Sequence, residues 1–192
     1  MKVLIACEYS GRVRDAFTAM GHDATSVDLL PSETEGRHII GDVLDVIKSE
    51  HFDLMIAHPP CTDLATSGAK WFAEKRADGR QQKALQFVQD LMDAPIEKIA
   101  LENPVSIISS HIRKPDQYIQ PWQFGHDAQK KTGLWLKNLP LLRETNVIHK
   151  ERYANQTPSG QNKLAPSPDR WKDRSRTYQG IARAMASQWG VN

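Results

Sequence analysis

The chain has 192 residues, 40% of them hydrophobic and 25% charged, with a formal net charge of +2. This composition is typical of one globular domain, here residues 1–192, and the net charge is too small to predict nucleic-acid binding by itself. No apolar run reaches the roughly 20 residues that a membrane span needs. The first predicted strand begins at residue 2, so we expect no signal peptide and a cytoplasmic protein. The two cysteines, Cys7 and Cys61, predict no disulfide framework, and no Cys/His cluster has the spacing of a metal site.

The first part of the chain predicts a βαβ unit. Residues 2–7 are typical of a buried strand, residues 8–11 form a turn, Ser10 is the expected N-cap of a helix, and a second strand ends in Asp28. Such a turn brings backbone N–H groups to a nucleotide, and a terminal acid can accept hydrogen bonds from ribose hydroxyls. The turn lacks the full Gly-x-Gly-x-x-Gly pattern, so an ordinary βαβ unit with a surface acid remains an alternative.

Asp42 lies at the end of the next short predicted strand, residues 39–43, which ends in Gly-Asp. Its carboxylate is the expected N-cap of a helix over residues 43–49. It could equally accept a hydrogen bond from an adenine amino group, and one side chain could do both.

Two apolar strands end in polar residues and proline. The run over residues 54–57 is followed by Pro59, Pro60 and Cys61, and the strand starting at Lys98 ends in Glu102, Asn103 and Pro104. Ligands of α/β sheets sit at the carboxyl ends of the strands, so both groups are expected at one edge of the sheet. A small buried cysteine and a solvated glutamate are the plain alternatives.

The remaining segments predict an antiparallel hairpin at one edge of the sheet, several surface segments and two helices. Residues 62–79, which include Ser67, are predicted to be a polar flap over the substrate or an ordinary surface loop, and residues 80–92 an amphipathic helix. Residues 118–124 and 133–136 are expected to form an antiparallel edge hairpin. The segment 143–175 is expected to be flexible or to face the substrate, and residues 178–189 form a last helix. A basic cluster predicts either a phosphate-binding patch or solvated surface; it contains Lys163, Arg170, Lys172, Arg174 and Arg176.

In order and spacing, these motifs resemble the cytosine-C5 DNA methyltransferase family over nearly the whole chain. Pro59-Pro60-Cys61 is similar to its catalytic Pro-Cys loop, and Glu102-Asn103-Pro104 to its Glu-Asn motif. Two later matches are looser, namely Gln129-Lys130-Lys131 to the Gln-x-Arg-x-Arg motif and residues 178–182 to the Gly-Asn motif. The resemblance implies a Rossmann-like α/β fold with a mostly parallel sheet and S-adenosyl-L-methionine as cofactor. It also suggests a short member of the type found in phage and prophage of bacterial hosts.

The resemblance also implies roles for particular residues. The expected catalytic residues are Cys61, Glu102, Asn103 and Lys131. The expected cofactor-binding residues are Cys7, Glu8, Tyr9, Ser10, Gly11, Asp28, Asp42, Val43 and Pro59. The expected substrate-binding residues are Pro60, Thr62, Ser67, Arg174 and Arg176. No metal is expected. In this reading Cys61 adds to C6 of cytosine, Glu102 binds the N3/N4 edge of the ring, and Asn103 braces Glu102 or the loop.

The sequence departs from the family pattern in ways that leave the substrate open. Thr62 replaces the usual glutamine, Lys131 and Gly133 stand where arginines are usual, and only residues 139–175 are available in place of a large target-recognition domain. Three readings stay open. The chain methylates DNA with low specificity through residues 62–79 and the basic cluster, or it recognises DNA with a partner or a second copy of the chain, or it acts on a free cytosine nucleotide such as dCMP. An amino-methyltransferase is disfavoured because Cys61 replaces an aromatic residue after Pro-Pro. A catalytically degenerate fold that serves as a binding module remains a further alternative.

Overall fold

The chain folds around one seven-stranded sheet with the order β3-β2-β1-β4-β5-β7-β6. The structure is a computed structural model that describes residues 1–160, 162–163, 167–168 and 170–191. The strands are β1 Lys2–Ala6, β2 Asp23–Asp28, β3 His38–Ile40, β4 Leu54–Ala57, β5 Lys98–Pro104, β6 Gln117–Ile119 and β7 Thr132–Lys137. The helices are α1 Arg12–Ala19, α2 Val43–Ser49, α3 Phe72–Ala77, α4 Arg80–Met92, α5 Ile108–His111, α6 Arg170–Ser175 and α7 Gln179–Trp189, with 3-10 helices at Thr66–Trp71 and Pro121–Gln123.

Strand direction confirms the predicted fold class. The pairs β1–β2, β1–β4, β2–β3 and β4–β5 are parallel, while β7 runs antiparallel to both β5 and β6. The sheet is therefore a mostly parallel Rossmann-like sheet with an antiparallel edge hairpin. The chain reverses its strand order between β1 and β4, which is where ligands of open α/β sheets bind.

Both faces of the sheet are covered, which explains the near-continuous apolar strands. One core joins alternate residues of the central strands to α1 and α7, and the other joins the remaining residues to α2 and α4. A fully buried tryptophan lies in each core, and both indole N–H groups have acceptors. Trp189 donates to the Pro140 carbonyl at 3.0 Å and Trp135 to the Arg113 carbonyl at 2.7 Å.

Three local predictions need correction. Residues 62–79 are not a loop, since they contain the 3-10 helix Thr66–Trp71 and α3. The predicted strand 118–124 is shorter, because β6 ends at Ile119 and Pro121 begins a 3-10 turn. Ser10 is not the N-cap of α1; Gly11 holds that position in a left-handed conformation with φ of 73°.

The segment 143–175 lies partly outside the described residues, and its predicted flexibility remains a prediction. Within the described part, the Ile148 N–H donates to the Trp122 carbonyl at 2.8 Å. The Tyr153 ring stacks on Trp122 with centroids 6.2 Å apart. None of the described helices is long and apolar enough to cross a membrane.

Candidate functional site

The candidate site lies at the carboxyl edge of the three central strands. Ala6 of β1 is level with Ala57 of β4, and Ala57 is level with Leu101 of β5. The His58 N–H donates to the Ala6 carbonyl at 2.9 Å, which continues the pairing one residue beyond the strand. The residues that follow these strand ends are therefore neighbours. Both Cys61 and Glu102 lie at this edge, where the two strand-end motifs were predicted to meet.

A buried ion pair joins the ends of β4 and β5. His58 Nδ1 lies 3.0 Å from Glu102 Oε2, and the two side chains are only 11% and 10% exposed. Burial alone would lower the pKa of His58, but the hydrogen bond and charge of Glu102, followed by the charge of Glu8, raise it. Burial would raise the pKa of Glu102, but the charge and hydrogen bond of His58 outweigh this effect and lower it. Both shifts favour an imidazolium that faces a carboxylate.

Glu8 is a second buried carboxylate beside His58. It accepts the Val13 N–H at 2.7 Å, the Arg14 N–H at 3.2 Å and the Ser10 hydroxyl at 3.2 Å. Burial raises the pKa of Glu8, while His58 and these donors act in the opposite direction. At the start of α1, Glu8 thus accepts the N–H groups of Val13 and Arg14, and Ser10 Oγ accepts that of Arg12 at 3.4 Å. Glu8 therefore stabilises the turn between β1 and α1 through these hydrogen bonds.

Asn103 connects the Glu-Asn strand end to the Pro-Pro-Cys loop. Its side chain is 1% exposed, and Nδ2 donates to the Pro59 carbonyl at 3.0 Å. Asn103 was predicted to brace either Glu102 or the loop. This hydrogen bond is to the loop. Pro59 is buried, whereas Pro60 is exposed at the mouth of the site.

The loop carrying Cys61 is fixed on its other side as well. The Cys61 carbonyl accepts the Leu64 and Ala65 N–H groups at 3.0 and 2.8 Å. Lys75, which is buried, donates to the carbonyl of Thr62 and forms an ion pair with Asp63 at 3.2 Å. Cys61 itself is a half-buried free thiol, and the side chains of Thr62 and Ser67 are exposed.

The part of the edge that carries Cys7, Asp28 and Asp42, where the sequence predicts a nucleotide and which is called the nucleotide side below, is acidic. Cys7 adopts a left-handed conformation with φ of 59°. Burial, followed by the charges of Asp28 and Asp42, raises the pKa of its thiol to about 12. One carboxylate oxygen of Asp28 accepts the Leu30 N–H at 3.0 Å, and one of Asp42 accepts the Leu44 N–H at 2.8 Å. Asp42 therefore caps α2 as predicted.

The segment around α6 contacts this nucleotide side. The Tyr9 hydroxyl donates to the Lys172 carbonyl at 3.0 Å and lies 2.8 Å from Ser175 Oγ. Arg12 donates to the Thr177 carbonyl at 2.9 Å, and the Thr177 hydroxyl lies 3.5 Å from Glu102 Oε2. The chain leading into α7 thus reaches from the first turn to the buried ion pair.

The predicted cationic residues lie in different surroundings. Lys131 Nζ lies over the Tyr118 ring, 4.4 Å from its centroid, and the charge that lowers the pKa of Glu102 from this segment is that of Lys130. Arg176 is held by Glu33 at 2.6 Å and by Asp173 at 2.5 Å. Arg174 is exposed, and its carbonyl accepts Lys130 Nζ at 2.8 Å. Roles for Lys131, Arg174 and Arg176 in the site remain predictions.

Four residues at this edge were given no role from the sequence: His58, Lys75, Thr177 and Lys130, which was named only within the loose match Gln129-Lys130-Lys131. Only His58 could have been found from the sequence, because it directly follows the buried run of β4. Glu102 has the same relation to the buried run of β5. The other three arrive from distant parts of the chain. Among the residues that the structure describes, no group of three or more His, Cys, Asp or Glu side chains could hold a metal ion.

No protein-family model matches the chain, and no curated protein matches it. Among solved structures, it is similar to an E. coli protein described as a candidate DNA modification methyltransferase encoded within a prophage. The TM-score is 0.51 at 16% identity, and the match covers 77% of this chain and 52% of that one. The chain thus spans about half the length of that structure, and at this identity the likeness shows the fold alone.

Proposed function

We propose that the chain is an S-adenosylmethionine-dependent methyltransferase that methylates C5 of cytosine in DNA through a covalent bond to Cys61. The observation that carries this proposal is the hydrogen bond from Asn103 Nδ2 to the Pro59 carbonyl at 3.0 Å. It joins the strand end that bears Glu102 to the loop that bears Cys61. A base-binding acid and a nucleophile are therefore held on one rigid frame, at the edge where α/β folds bind ligands.

The residues at the ends of β1 and β2 fit the proposed cofactor. Asp28 and Asp42 both act on Cys7, so both carboxylates lie at the same end of the nucleotide side. Each accepts a backbone N–H through one oxygen, and its second oxygen suits a ribose hydroxyl or an adenine amino group. An acidic site also suits the positive charges of the cofactor's methionine part. When bound, S-adenosylmethionine supplies an electrophilic methyl group.

The chain's own residues then account for the chemistry. Cytosine C5 is a poor nucleophile until a thiolate adds to C6, and Cys61 on its fixed loop is the nucleophile. Glu102 binds the N3/N4 edge, and a proton placed on N3 makes C6 more electrophilic. After C5 is methylated, it loses its proton and the Cys61–C6 bond breaks. Asn103 keeps Pro59 in place throughout, and Pro60, Thr62 and Ser67 lie at the exposed mouth where the base enters.

A free cytosine nucleotide is the second candidate substrate. The observation that favours it is the short connection between β7 and α6, residues 138–169. An enzyme that flips a base out of duplex DNA needs contacts to the strand that remains, and this connection replaces a whole recognition domain. A partner or a second copy of the chain would supply those contacts if DNA is the substrate.

Labelled methyl transfer tests both candidates. Wild-type protein and Cys61→Ser are incubated with labelled cofactor and, separately, duplex DNA, single-stranded DNA and dCMP. We expect label at C5 of cytosine with DNA and none with Cys61→Ser. Transfer to dCMP alone would favour the nucleotide. Transfer that survives in Cys61→Ser would contradict covalent catalysis, and binding of cofactor without any transfer would favour a degenerate fold.

A further inference from the structure

The His58–Glu102 pair has a feature that the proposed function leaves unexplained. His58 presents Nδ1 to Glu102 at 3.0 Å. Its second ring nitrogen, Nε2, is buried and has no hydrogen-bond partner among the described residues. Buried polar atoms are seldom left unpaired. A histidine that presents one ring nitrogen to a carboxylate at hydrogen-bond distance is placed to pass a proton to it.

The charges around the pair favour a proton on His58. Glu102 approaches from β5 and Glu8 from the turn after β1, while Lys130, before β7, is the opposing cation. Two carboxylates and one ammonium, whose effect is smaller than that of either carboxylate, leave the imidazole in a net negative environment. The pKa of His58 is raised accordingly, and that of Glu102 is lowered. Thr177 donates to Glu102 and supports its ionised form in the same way.

This protonation state creates a problem for base activation. The N3 atom of cytosine carries a lone pair, and an ionised carboxylate has only acceptors to offer it. Two acceptors repel each other, so Glu102 cannot activate the ring until a proton lies between them. The nearest group that holds such a proton is His58.

We propose that His58 is the proton reserve of the site and delivers its proton to cytosine through Glu102. This proposal rests on the proposed function. The N–H bond at His58 Nδ1 breaks as an O–H bond forms on Glu102, and a proton then passes from Glu102 to N3. The products are a neutral imidazole, the Glu102 carboxylate and an N3-protonated cytosine, so charge and protons balance. When the product leaves, N3 gives its proton back to Glu102, which returns it to His58 Nδ1, the nitrogen that gave it up. His58 is thus a positioning residue that acts through Glu102.

A purely structural role makes a different prediction. If His58 only orients Glu102, a neutral side chain that donates one hydrogen bond should serve nearly as well. His58→Gln is such a side chain, because its amide can donate to Glu102 but carries no transferable proton. The two roles therefore separate in the pH profile rather than in the size of the defect.

The first test needs no variant. The profile of kcat/KM for methyl transfer reports the free enzyme's groups, and nitrogen NMR of labelled histidine reports the titration of His58 directly. We expect the alkaline limb of the profile to coincide with the NMR midpoint of His58, above the midpoint of a free imidazole. An NMR midpoint of His58 at or below that of a free imidazole, or a limb that does not track its titration, would overturn the proposal.

The second test uses His58→Gln, with folding checked by circular dichroism and cofactor affinity by calorimetry. We expect transfer at pH 7.5 to fall about 100-fold, as for loss of a general acid, with cofactor affinity unchanged. Activity should partly return as the pH is lowered, because Glu102 without its cation becomes protonated more easily. A profile of unchanged shape and lower height would assign His58 a structural role. Failure of wild-type protein to methylate any cytosine substrate would instead reject the proposed function, whatever the NMR midpoint.

Discussion

The chain's two cysteines lie at the same edge of one sheet, in opposite surroundings. Cys7 follows β1 on the nucleotide side, where burial and the charges of Asp28 and Asp42 raise the pKa of its thiol to about 12. Cys61 follows β4 on the side proposed to bind the cytosine base, called the base side below. There Lys75 donates to the carbonyl of the neighbouring Thr62. Position at a strand end is therefore not enough to make a nucleophile. The proposed function places the cofactor on the acidic side, where the Cys7 thiol is held protonated, and the covalent chemistry on the other.

Removing each thiol in turn is the strongest test of whether the two cysteines have different roles. Cys61→Ser should lower the rate of methyl transfer at least about a thousand-fold, because a hydroxyl is a far weaker nucleophile at neutral pH. Cys7→Ser should act only through the cofactor, with kcat within about threefold of wild type and a modest rise in KM. Single-turnover assays with labelled cofactor measure both. Equal defects in the two variants would contradict the assignment.

Alkylation sharpens the same contrast without any assay of function. A thiol must ionise to react, so a pKa raised from 9.0 to about 12 leaves Cys7 protonated at pH 8. A brief iodoacetamide pulse followed by peptide mass mapping should label Cys61 and spare Cys7. Labelling of Cys7 should appear only as the pH approaches 12. Rapid modification of Cys7 at pH 8 would show that the acidic environment does not control it.

The brace on the base side is tested by Asn103→Ala. The change leaves the buried Pro59 carbonyl without its donor, which should cost about 1–3 kcal/mol of stability. The loosened loop should also lower kcat, since misplacing a reacting group by about 1 Å can cost roughly 100-fold. Urea unfolding and steady-state kinetics measure the two effects.

Gln81→Leu is the matched control for that brace. Gln81 is equally buried and donates to the Asp63 carbonyl at 3.2 Å, further along the same loop. It should lose similar stability with much less effect on kcat. A normal kcat in Asn103→Ala would show that this hydrogen bond does not position Cys61 for reaction.

The acidic side is tested by separating the two roles of Asp42. Asp42→Ala should lose the cap of α2, about 1 kcal/mol of stability, together with cofactor affinity. Asp42→Ser keeps a capping oxygen but has too short a side chain to reach the ligand, so its unfolding midpoint should stay near that of wild type. We expect both variants to weaken cofactor binding about tenfold in calorimetry. Normal affinity in Asp42→Ser would leave Asp42 as a cap alone.

The smallest expected effect concerns Arg176, which was predicted to bind substrate phosphate. Because Glu33 and Asp173 already engage it, Arg176→Gln should cost about 0.2–1 kcal/mol, the usual value of a partly exposed ion pair. The salt dependence of DNA binding should not change. A slope lower by about one would restore Arg176 to the phosphate contacts.

Strand-end order was predictable, but side-chain neighbours were not. Apolar runs bounded by proline and glycine located β1, β4 and β5, because buried parallel strands leave a continuous apolar signature. Asp42 was predicted correctly as a cap because capping is local. Ser10 was wrong for an instructive reason. Gly11 holds the cap position, and the buried Glu8 before the helix accepts the N–H groups of Val13 and Arg14, while Ser10 accepts that of Arg12.

Long-range contacts explain the other differences. No local sequence pattern indicated a role for Lys75, because Lys75 acts through a hydrogen bond from α3 to the carbonyl of Thr62. The same polar composition that predicts a loop over residues 62–79 is compatible with short helices once Lys75 is buried against that carbonyl. Glu33 pairs with Arg176 from the far end of the chain, and no pattern in a window of sequence predicts such a pair.

The most direct test of covalent catalysis by Cys61 is a trapping experiment. Fluorine at C5 blocks the final proton loss, so DNA that contains 5-fluorocytosine should leave the Cys61–C6 bond intact. Wild-type protein with this DNA and S-adenosylmethionine is analysed by intact mass and by peptide mapping. The account predicts a stable adduct on Cys61 that requires the cofactor and is absent from Cys61→Ser. Methylation of ordinary cytosine by a protein that never forms this adduct would contradict it.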